Sequence, residues 1–276
     1  MKLINGKLIA KKILSEIKEG VSKMSTPPGL AIILVGSDPA SHLYVKIKER
    51  ACKKVGINFE KYLFISSSRE TEIIEKIHIL NKRSDIHGIV VQLPLPGRLN
   101  ENNIIAEIDP TKDADGFHPK NTELLLTGDL MVVPALAQSV LHLLHDTGVD
   151  LKRKKALVIG RSSVFYNFLA NVLLKEGIVS DFASPVTGLA LSSQADIVIV
   201  AVGQPKYLMA GHVKDGAIVI DIGINETEKG VVGDADRQSL DSMSGYLSPV
   251  PGGVGPLTVV SLLKNILESA EKKTPK

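Results

Sequence analysis

Short apolar runs alternate with longer segments of helical periodicity along almost the whole chain. The runs consist mainly of Val, Ile and Leu, without the polar alternation of a half-exposed strand. They occupy residues 30–35, 88–93, 155–159, 196–202 and 217–222. Buried strands separated by helices are typical of parallel sheets. The pattern therefore predicts an α/β fold with largely parallel sheets.

The chain has 276 residues, a length that suits two domains better than one. Pro134 opens a predicted helix that lies between an earlier and a later group of strands. We therefore expect one domain at residues 1–134, completed by a C-terminal helix at residues 256–276. A second domain is expected at residues 135–255.

Composition argues against several classes of protein. The net charge is only +3, aromatic residues make up 4%, and no basic patch stands out, which is unlike a nucleic-acid-binding protein. No apolar run approaches the ~18 residues of a membrane span, and the N-terminus lacks the apolar region of a signal peptide. Cys52 is the single cysteine and lies in an amphipathic segment. We expect a cytoplasmic protein that contacts neither nucleic acid nor membrane, with Cys52 in the core.

Two polar groups in the first half of the chain suit acid–base chemistry. Tyr44 and Lys48 lie four positions apart, so a helix places them on one face. A partly buried lysine beside a hydroxyl can exchange a proton near neutral pH. Gln92 ends an apolar strand, where ligands bind in open α/β sheets. The alternatives are a solvated surface lysine and a side chain that caps the end of a strand.

A loop rich in Asp, Gly and Pro follows. Asp113 and Asp115 are residues that commonly form turns, but a carboxylate there also matches an aminopyrimidine edge through two parallel hydrogen bonds. They belong to no group of His, Cys and Asp residues that completes a metal site. His118 precedes a proline and suits a structural role better than a catalytic one.

Two further segments suggest ligand contact. The strand at residues 155–159 enters the turn Gly160-Arg161-Ser162 before a helix, an order that brings backbone N–H groups to a phosphate. Arg161 matches the 2′-phosphate of NADP. Because the full G-x-G-x-x-G pattern is absent, an ordinary strand–helix connection remains the alternative. Residues 249–258 are dense in Pro and Gly, which fixes an unusual backbone and permits close approach of a ligand.

Together these motifs resemble the bifunctional methylenetetrahydrofolate dehydrogenase/methenyltetrahydrofolate cyclohydrolase family. Four of them occur in the family's order and spacing: Tyr-x-x-x-Lys at 44–48, Val-Gln-Leu-Pro-Leu-Pro at 91–96, Lys-Asp-x-Asp-Gly at 112–116 and Pro-Gly-Gly-Val-Gly-Pro at 251–256. The resemblance covers essentially the whole chain. It implies a catalytic folate-binding α/β domain and a Rossmann-type NADP-binding domain with a cleft between them.

The resemblance also implies an activity and a role for each residue. The enzyme would oxidise 5,10-methylenetetrahydrofolate with NADP and hydrolyse the methenyl product to 10-formyltetrahydrofolate, without a metal, in one-carbon metabolism and purine biosynthesis. It would act as a homodimer paired through the nucleotide domains. Lys48 would be the general acid/base, Tyr44 and Gln92 would position it and the substrate, and Asp115 would hold the pterin. Further substrate contacts would come from Val91, Leu93, Pro251, Gly252, Gly253, Val254, Gly255, Pro256 and Thr258, and cofactor contacts from Gly160, Arg161, Ser162 and Ile224.

The nucleotide loop departs from the family's pattern. Tyr166 and Phe168 stand where the family typically has Gly and Pro. Tyr166 can turn inward against Phe165 and Phe168, or it can lie across the helix N-terminus and obstruct the phosphate site. We expect partial obstruction and weak NADP binding. The alternatives to a fully bifunctional enzyme are therefore a cyclohydrolase with weak or lost dehydrogenase activity, and a folate-binding protein without turnover.

Overall fold

The computed structural model describes residues 1–127, 132–161, 163–228 and 230–273. The chain divides into two compact units. The first unit contains Lys11–Ala135 and Val259–Lys276, and the second contains Met1–Ala10 and Leu136–Thr258. Three helices contain residues of both units: α1 (Gly6–Ser22), α6 (Ala135–Asp146) and α10 (Val254–Lys273). Strands and helices alternate in each unit, which confirms the predicted α/β fold class.

The first unit is built on a three-stranded parallel sheet in the order β3–β2–β4. The central strand is β2 (Gly29–Val35), flanked by β3 (Asn58–Phe64) and β4 (Gly88–Val91). Ile33 of β2 lies opposite Tyr62 on one side and Val91 on the other. Every residue of β2 is buried, as its unbroken apolar sequence predicted. The helices confined to this unit are α2 (Pro39–Val55), α3 (Glu70–Lys82), α4 (Glu101–Ala106) and α5 (Pro119–Thr127).

Helix α2 begins and ends where its local sequence predicted. The Asp38 carboxylate accepts hydrogen bonds from the backbone N–H of Ser41 (2.8 Å) and from its hydroxyl (2.7 Å), so it caps the first turn. Gly56 ends the helix in the left-handed region, at φ 86°. The buried face of the helix holds Ser41, Val45, Lys48, Cys52 and Val55. Lys48 therefore lies on the buried face, and Cys52 lies in the core as predicted.

The second unit is built on a six-stranded parallel sheet in the order β1–β11–β8–β7–β5–β6. Its strands are β1 (Lys2–Leu3), β5 (Lys155–Gly160), β6 (Val179–Ala183), β7 (Ile197–Ala201), β8 (Ile218–Asp221) and β11 (Tyr246–Leu247). An antiparallel hairpin joins β9 (Asn225–Thr227) to β10 (Gly230–Val232). The helices confined to this unit are α7 (Ser163–Lys175), α8 (Gly188–Ser192) and α9 (Arg237–Leu240), with a 3₁₀ turn at Ala210–His212.

The order of strands locates a crevice of the kind that binds nucleotides. The chain leaves β5 through α7 to β6 on one side, and then returns through α8 to β7 on the other side. The direction of winding reverses between β5 and β7, and ligands bind at the carboxyl ends of strands at such a point. The predicted Rossmann-type arrangement is therefore present in the second unit.

Two boundaries differ from expectation. Residues 1–10 belong to the second unit, because β1 pairs with β11 and the N-terminal amino group donates to the carbonyl oxygens of Leu240 (3.0 Å) and Asp241 (2.9 Å). A two-residue strand has no periodicity for sequence analysis to detect. Helix α10 begins at Val254, earlier than predicted, so Pro256 lies in its first turn. Proline is tolerated there because the first N–H groups of a helix have no partner within the helix.

Candidate active site

Three of the four residues predicted to be catalytic meet in the first unit. Lys48 Nζ donates to Gln92 Oε1 at 3.2 Å and lies 3.6 Å from Asp115 Oδ2. The lysine and aspartate side chains are only 11% and 20% exposed. Tyr44 lies one turn before Lys48 on α2 and is half-buried. The buried face of α2 brings Lys48 to the carboxyl end of β4. There its amine is sheltered between the Gln92 amide and the Asp115 carboxylate.

Hydrogen bonds fix the amide of Gln92 in one orientation. Its backbone N–H donates to the carbonyl of Ile33 (2.9 Å), which continues the ladder between β4 and β2. Its side-chain Nε2 donates to the carbonyl of Leu93 (2.9 Å), so Oε1 is left facing the lysine. Val91 is buried and Leu93 half-buried, and the bond from Leu93 to Pro94 is cis. The strand end thus presents an acceptor to Lys48.

Asp113 shapes the turn that presents Asp115. Its buried carboxylate accepts hydrogen bonds from the N–H groups of Gly116 (3.1 Å) and His118 (2.7 Å) and from the amide of Asn121 (3.1 Å). Burial raises the pKa of the Asp113 carboxyl to about 6, and the hydrogen bonds from His118 and Asn121 oppose that rise. The two carboxylates of this motif therefore differ in environment: one is buried inside the turn and the other faces Lys48.

Lys112, the first residue of the same motif, binds the end of a helix. Its Nζ donates to the carbonyl oxygens of Leu80 (3.2 Å), Asn81 (2.7 Å) and Arg83 (2.6 Å) at the C-terminus of α3. The negative end of a helix favours such a cation. This lysine belongs to a motif of the sequence, but the motif alone predicts no role for it. The structure shows that it fastens the Asp113–Asp115 turn to α3.

The Pro- and Gly-rich segment belongs to the second unit. The bond from Val250 to Pro251 is cis, and Gly252 has a φ of 112°, which favours glycine. A Cβ on Gly6 would collide with the carbonyl oxygen of Gly253, so α1 and this segment require a glycine at their contact. The predicted substrate-binding residues of the segment lie in the loop and in the first turns of α10: Pro251, Gly252, Gly253, Val254, Gly255, Pro256 and Thr258.

Three of the four predicted cofactor residues, Gly160, Arg161 and Ile224, lie at the carboxyl ends of strands of the second unit. Gly160 ends β5, and the exposed side chain of Arg161 follows it, with Nε donating to the carbonyl of Val202 at 2.6 Å. Ile224 follows β8 and is exposed. Ser162 lies outside the described residues. A cation beside the crevice between β5 and β7 fits the phosphate of a nucleotide.

The expected position of Tyr166 is wrong. Its hydroxyl donates to the carbonyl of Ser180 at 2.7 Å, and its ring packs 5.6 Å from that of Phe182. Both partners lie on β6, so Tyr166 is held against that strand instead of lying across the helix N-terminus. The strand offers an aromatic surface and a hydrogen-bond acceptor together, which suits a tyrosine. The side chains of Phe165 and Phe168 lie outside the described residues.

Two buried carboxylates of the second unit escaped sequence analysis. Asp221 ends β8, and Asp234 follows β10; both are buried. Burial raises the pKa of the Asp221 carboxyl to about 7. The available signal was a polar residue at the end of an apolar strand, the same signal that identified Gln92. Within the described parts of the chain, no three His, Cys, Asp or Glu side chains are grouped to hold a metal.

Two family models match this chain. The catalytic domain of tetrahydrofolate dehydrogenase/cyclohydrolase matches residues 4–115, and the NAD(P)-binding domain of the same family matches residues 134–274. The chain belongs to the tetrahydrofolate dehydrogenase/cyclohydrolase family. The family predicted from the four motifs is therefore confirmed.

Relatives in other organisms match over the full length of the chain. The bifunctional protein FolD of Geotalea daltonii is 43% identical over 278 residues, and that of Geobacillus thermodenitrificans is 41% identical over 280 residues; the matches cover 99% of each chain. These relatives confirm the predicted enzyme class, a bifunctional dehydrogenase and cyclohydrolase.

Solved structures agree with the fold. The FolD enzyme of Campylobacter jejuni is 39% identical with a TM-score of 0.94, covering 99% of this chain and all (100%) of that one. The Trypanosoma brucei enzyme, solved with NADP and an inhibitor, is 31% identical with a TM-score of 0.92, covering 98% of this chain and 97% of that one. None of the helices in the described residues has the length and hydrophobicity of a membrane span.

Proposed function

We propose that this chain oxidises 5,10-methylenetetrahydrofolate with NADP and hydrolyses the methenyl product to 10-formyltetrahydrofolate, with Lys48 as the general acid/base. The observation that carries the assignment is the position of Lys48 Nζ, 3.2 Å from Gln92 Oε1 and 3.6 Å from Asp115 Oδ2. A sheltered amine with a fixed acceptor on one side can give and take a proton in a defined direction.

Hydrolysis removes two protons from the attacking water and supplies one to N5. Water adds to the bridging carbon of the methenyl cation and loses its first proton, for which Lys48 is the base. The hydroxyl then loses its proton as it becomes the formyl carbonyl, the bond from that carbon to N5 breaks, and N5 takes a proton, so that one proton is released overall. Gln92 holds the amine through its Oε1, and Tyr44 on the same face of α2 contributes a hydroxyl beside it. Asp115 accepts hydrogen bonds from the pterin edge.

The remaining assignments follow the family resemblance. Val91 and Leu93, which flank Gln92, and the loop residues Pro251, Gly252, Gly253, Val254, Gly255, Pro256 and Thr258 contribute to folate binding. Gly160, Arg161, Ser162 and Ile224 hold NADP, with Arg161 at the 2′-phosphate. NADP, when bound, accepts the hydride. A cyclohydrolase with weak or lost dehydrogenase activity was the alternative because of Tyr166 and Phe168. The bond of Tyr166 to Ser180 argues against obstruction by Tyr166, and the side chain of Phe168 lies outside the described residues.

A matched pair of lysine variants tests the proposal. Lys48→Met should lower methenyl hydrolysis by about 10²–10⁴-fold, the usual contribution of a general acid or base. NADP affinity should stay unchanged. Lys46→Met alters an exposed lysine of the same helix and should hydrolyse at the wild-type rate. Hydrolysis by Lys48→Met at the rate of Lys46→Met would remove Lys48 from the mechanism.

We also propose a cytoplasmic homodimer that pairs through its nucleotide-binding units and serves one-carbon metabolism and purine biosynthesis. The support for pairing is the end of the larger sheet. Strand β6 is the last in the order, and beside it Leu174 and Val179 are 64% and 59% exposed. An edge strand flanked by exposed apolar residues is suited to pairing with a second copy of the chain.

A further inference from the structure

Asp234 binds three successive backbone N–H groups of one loop. Its Oδ2 accepts from Val202 (2.6 Å) and Gly203 (3.0 Å), and its Oδ1 accepts from Gln204 (2.8 Å). The side chain is completely buried. Gly203 has a φ of 68°, which lets consecutive N–H groups converge on one carboxylate. This loop follows β7, so Asp234 fixes one wall of the crevice between β5 and β7.

The surrounding backbone leaves room for this carboxylate. A Cβ on Gly223 would collide with the Asp234 carboxylate, so the segment after β8 requires a glycine there. The amide of Asn225 donates to Asp234 Oδ1 at 2.9 Å. Asp221 holds Asp234 in turn, because its Oδ1 accepts from the backbone N–H of Asp234 at 3.0 Å. Asn225 therefore holds the side chain of Asp234, and Asp221 holds its backbone.

The same loop holds Arg161. The N–H of Val202 donates to Asp234, and the carbonyl of Val202 accepts from Arg161 Nε at 2.6 Å. A single residue of the loop therefore connects the buried carboxylate to the guanidinium on the opposite side of the crevice. Arg161 is exposed, and this bond restrains its direction.

We propose that Asp234 is a positioning residue that sets the preference for NADP over NAD by holding Arg161 through Val202. The inference rests on the proposed role of Arg161 at the 2′-phosphate. Asp234 is buried and acts through the loop instead of contacting the nucleotide. NADP binding therefore depends on a carboxylate that is 73 positions away along the chain from the arginine it positions.

Asp234→Asn is the informative variant, because it keeps the size of the side chain. One of its two acceptor oxygens becomes an NH₂ group that faces N–H donors, so the loop must move away from it. The Kd for NADP should rise by about tenfold or more, the value of one hydrogen bond to a charged group. NAD lacks the 2′-phosphate, so its Kd should change by less than about twofold on the same scale.

Isothermal titration of the full-length protein with NADP and with NAD provides the test. Wild type is compared with Asp234→Asn, with Arg161→Ala, and with the double variant. Ser192→Ala is the control, because it removes a hydrogen bond of a buried side chain in the same unit (2.6 Å, to the carbonyl of His212 in the 3₁₀ turn). The control should retain the wild-type ratio of the two affinities. The double variant should bind NADP as weakly as Arg161→Ala and no more weakly, since both changes remove one coupled interaction.

Three results would overturn the proposal, and they differ in meaning. Equal weakening of NADP and NAD by Asp234→Asn, with a selective loss in Arg161→Ala, would leave Arg161 in place and make Asp234 merely structural. Additive losses in the double variant would show that the two residues act separately. No loss in Arg161→Ala would refute the proposed 2′-phosphate contact itself. If Asp234→Asn does not fold, Asn225→Ala keeps the carboxylate and removes one donor, and it should lower the affinity ratio in the same direction.

Discussion

Lys48 and Lys112 are both buried lysines of the first unit, and their partners give them different functions. Lys112 donates to three carbonyl oxygens at the end of α3, which fixes it as a structural cation. Lys48 lies between a side-chain amide and the carboxylate of Asp115, both of which a substrate can also use. The residue type is the same, and the difference lies in whether the partners are backbone or side chain.

The hydrogen bond from Tyr166 to Ser180 is expected to stabilise the second unit. Tyr166→Phe should lower the free energy of unfolding by about 1 kcal/mol, because it removes the hydrogen bond to Ser180. NADP affinity should not change, since the ring stays against β6. Denaturant unfolding and NADP titration measure the two effects. Tyr207→Phe, which loses a 2.7 Å bond to the carbonyl of Pro185, is the matched control for stability. Tighter NADP binding in folded Tyr166→Gly would restore the obstruction hypothesis.

Helix α2 shows how an element can be specified locally and yet serve a site. Its first turn is capped by Asp38 and its end is set by Gly56, both within the segment itself. Its apolar face packs on the sheet, which carries Lys48 inward on the same face as Cys52. Stability of this helix is therefore linked to the position of the proposed catalytic amine.

The single cysteine, Cys52, reports on that helix. Burial is complete and raises the pKa of the thiol to about 12, so the folded protein should not react with a thiol reagent at neutral pH. Reaction then requires opening of the first unit. Asp38→Ala should weaken the cap by about 1 kcal/mol and raise the reaction rate by roughly fivefold. Reaction of the native protein at the rate of a free thiol would show that Cys52 is accessible, contrary to its burial.

At the scale of the whole molecule, each unit contains a carboxyl group whose burial raises its pKa and so makes stability depend on pH. The pKa of Asp113 is raised from 3.8 to about 6 and that of Asp221 from 3.8 to about 7. A raised pKa means that the folded state binds the proton more tightly than the unfolded state. The proton bound by each carboxyl therefore stabilises the fold fully below about pH 4. This stabilisation is lost as pH rises through about 6 for Asp113 and about 7 for Asp221.

Asp221→Asn should remove this dependence from the second unit. The unfolding free energy of wild type should fall relative to that of the variant as pH rises from about 4 to 7, because only wild type carries the titrating carboxyl. Urea unfolding across that range measures it. Asp215→Asn is the control, because hydrogen bonds from Ser244 lower the pKa of that carboxyl and place its effect below the same range. A constant difference for Asp221→Asn would contradict the raised pKa.

The proposed dimer is a property of the whole molecule and has its own test. Val179→Lys places a charge on the exposed edge of β6, which opposes strand pairing between copies. Light scattering should give twice the mass of one chain for wild type and a single-chain mass for the variant. Leu8→Lys changes an exposed apolar residue of α1 and should leave the dimer intact. A wild-type monomer, or a dimer unaffected by Val179→Lys, would refute pairing through β6.

Local sequence was enough to predict the alternating elements, the caps of α2 and the family. Each of these depends on residues within a few positions, or on motifs whose order can be read along the chain. The sequence also indicated Lys48, Gln92 and Asp115, although they come from separate segments, because each stands in a recognisable motif.

Contacts between distant groups depend on the tertiary fold. The hydroxyl of Tyr166 donates to the carbonyl of Ser180 on β6, fourteen positions away. The carboxylate of Asp234 accepts from the N–H of Val202, 32 positions away. Residues 1–10 joined the second unit because a two-residue strand gained its partner only in the assembled sheet. A buried polar group must satisfy its hydrogen bonds with whatever the packed chain brings beside it. Those partners depend on the order of strands in the sheet, which the local pattern of residues does not record.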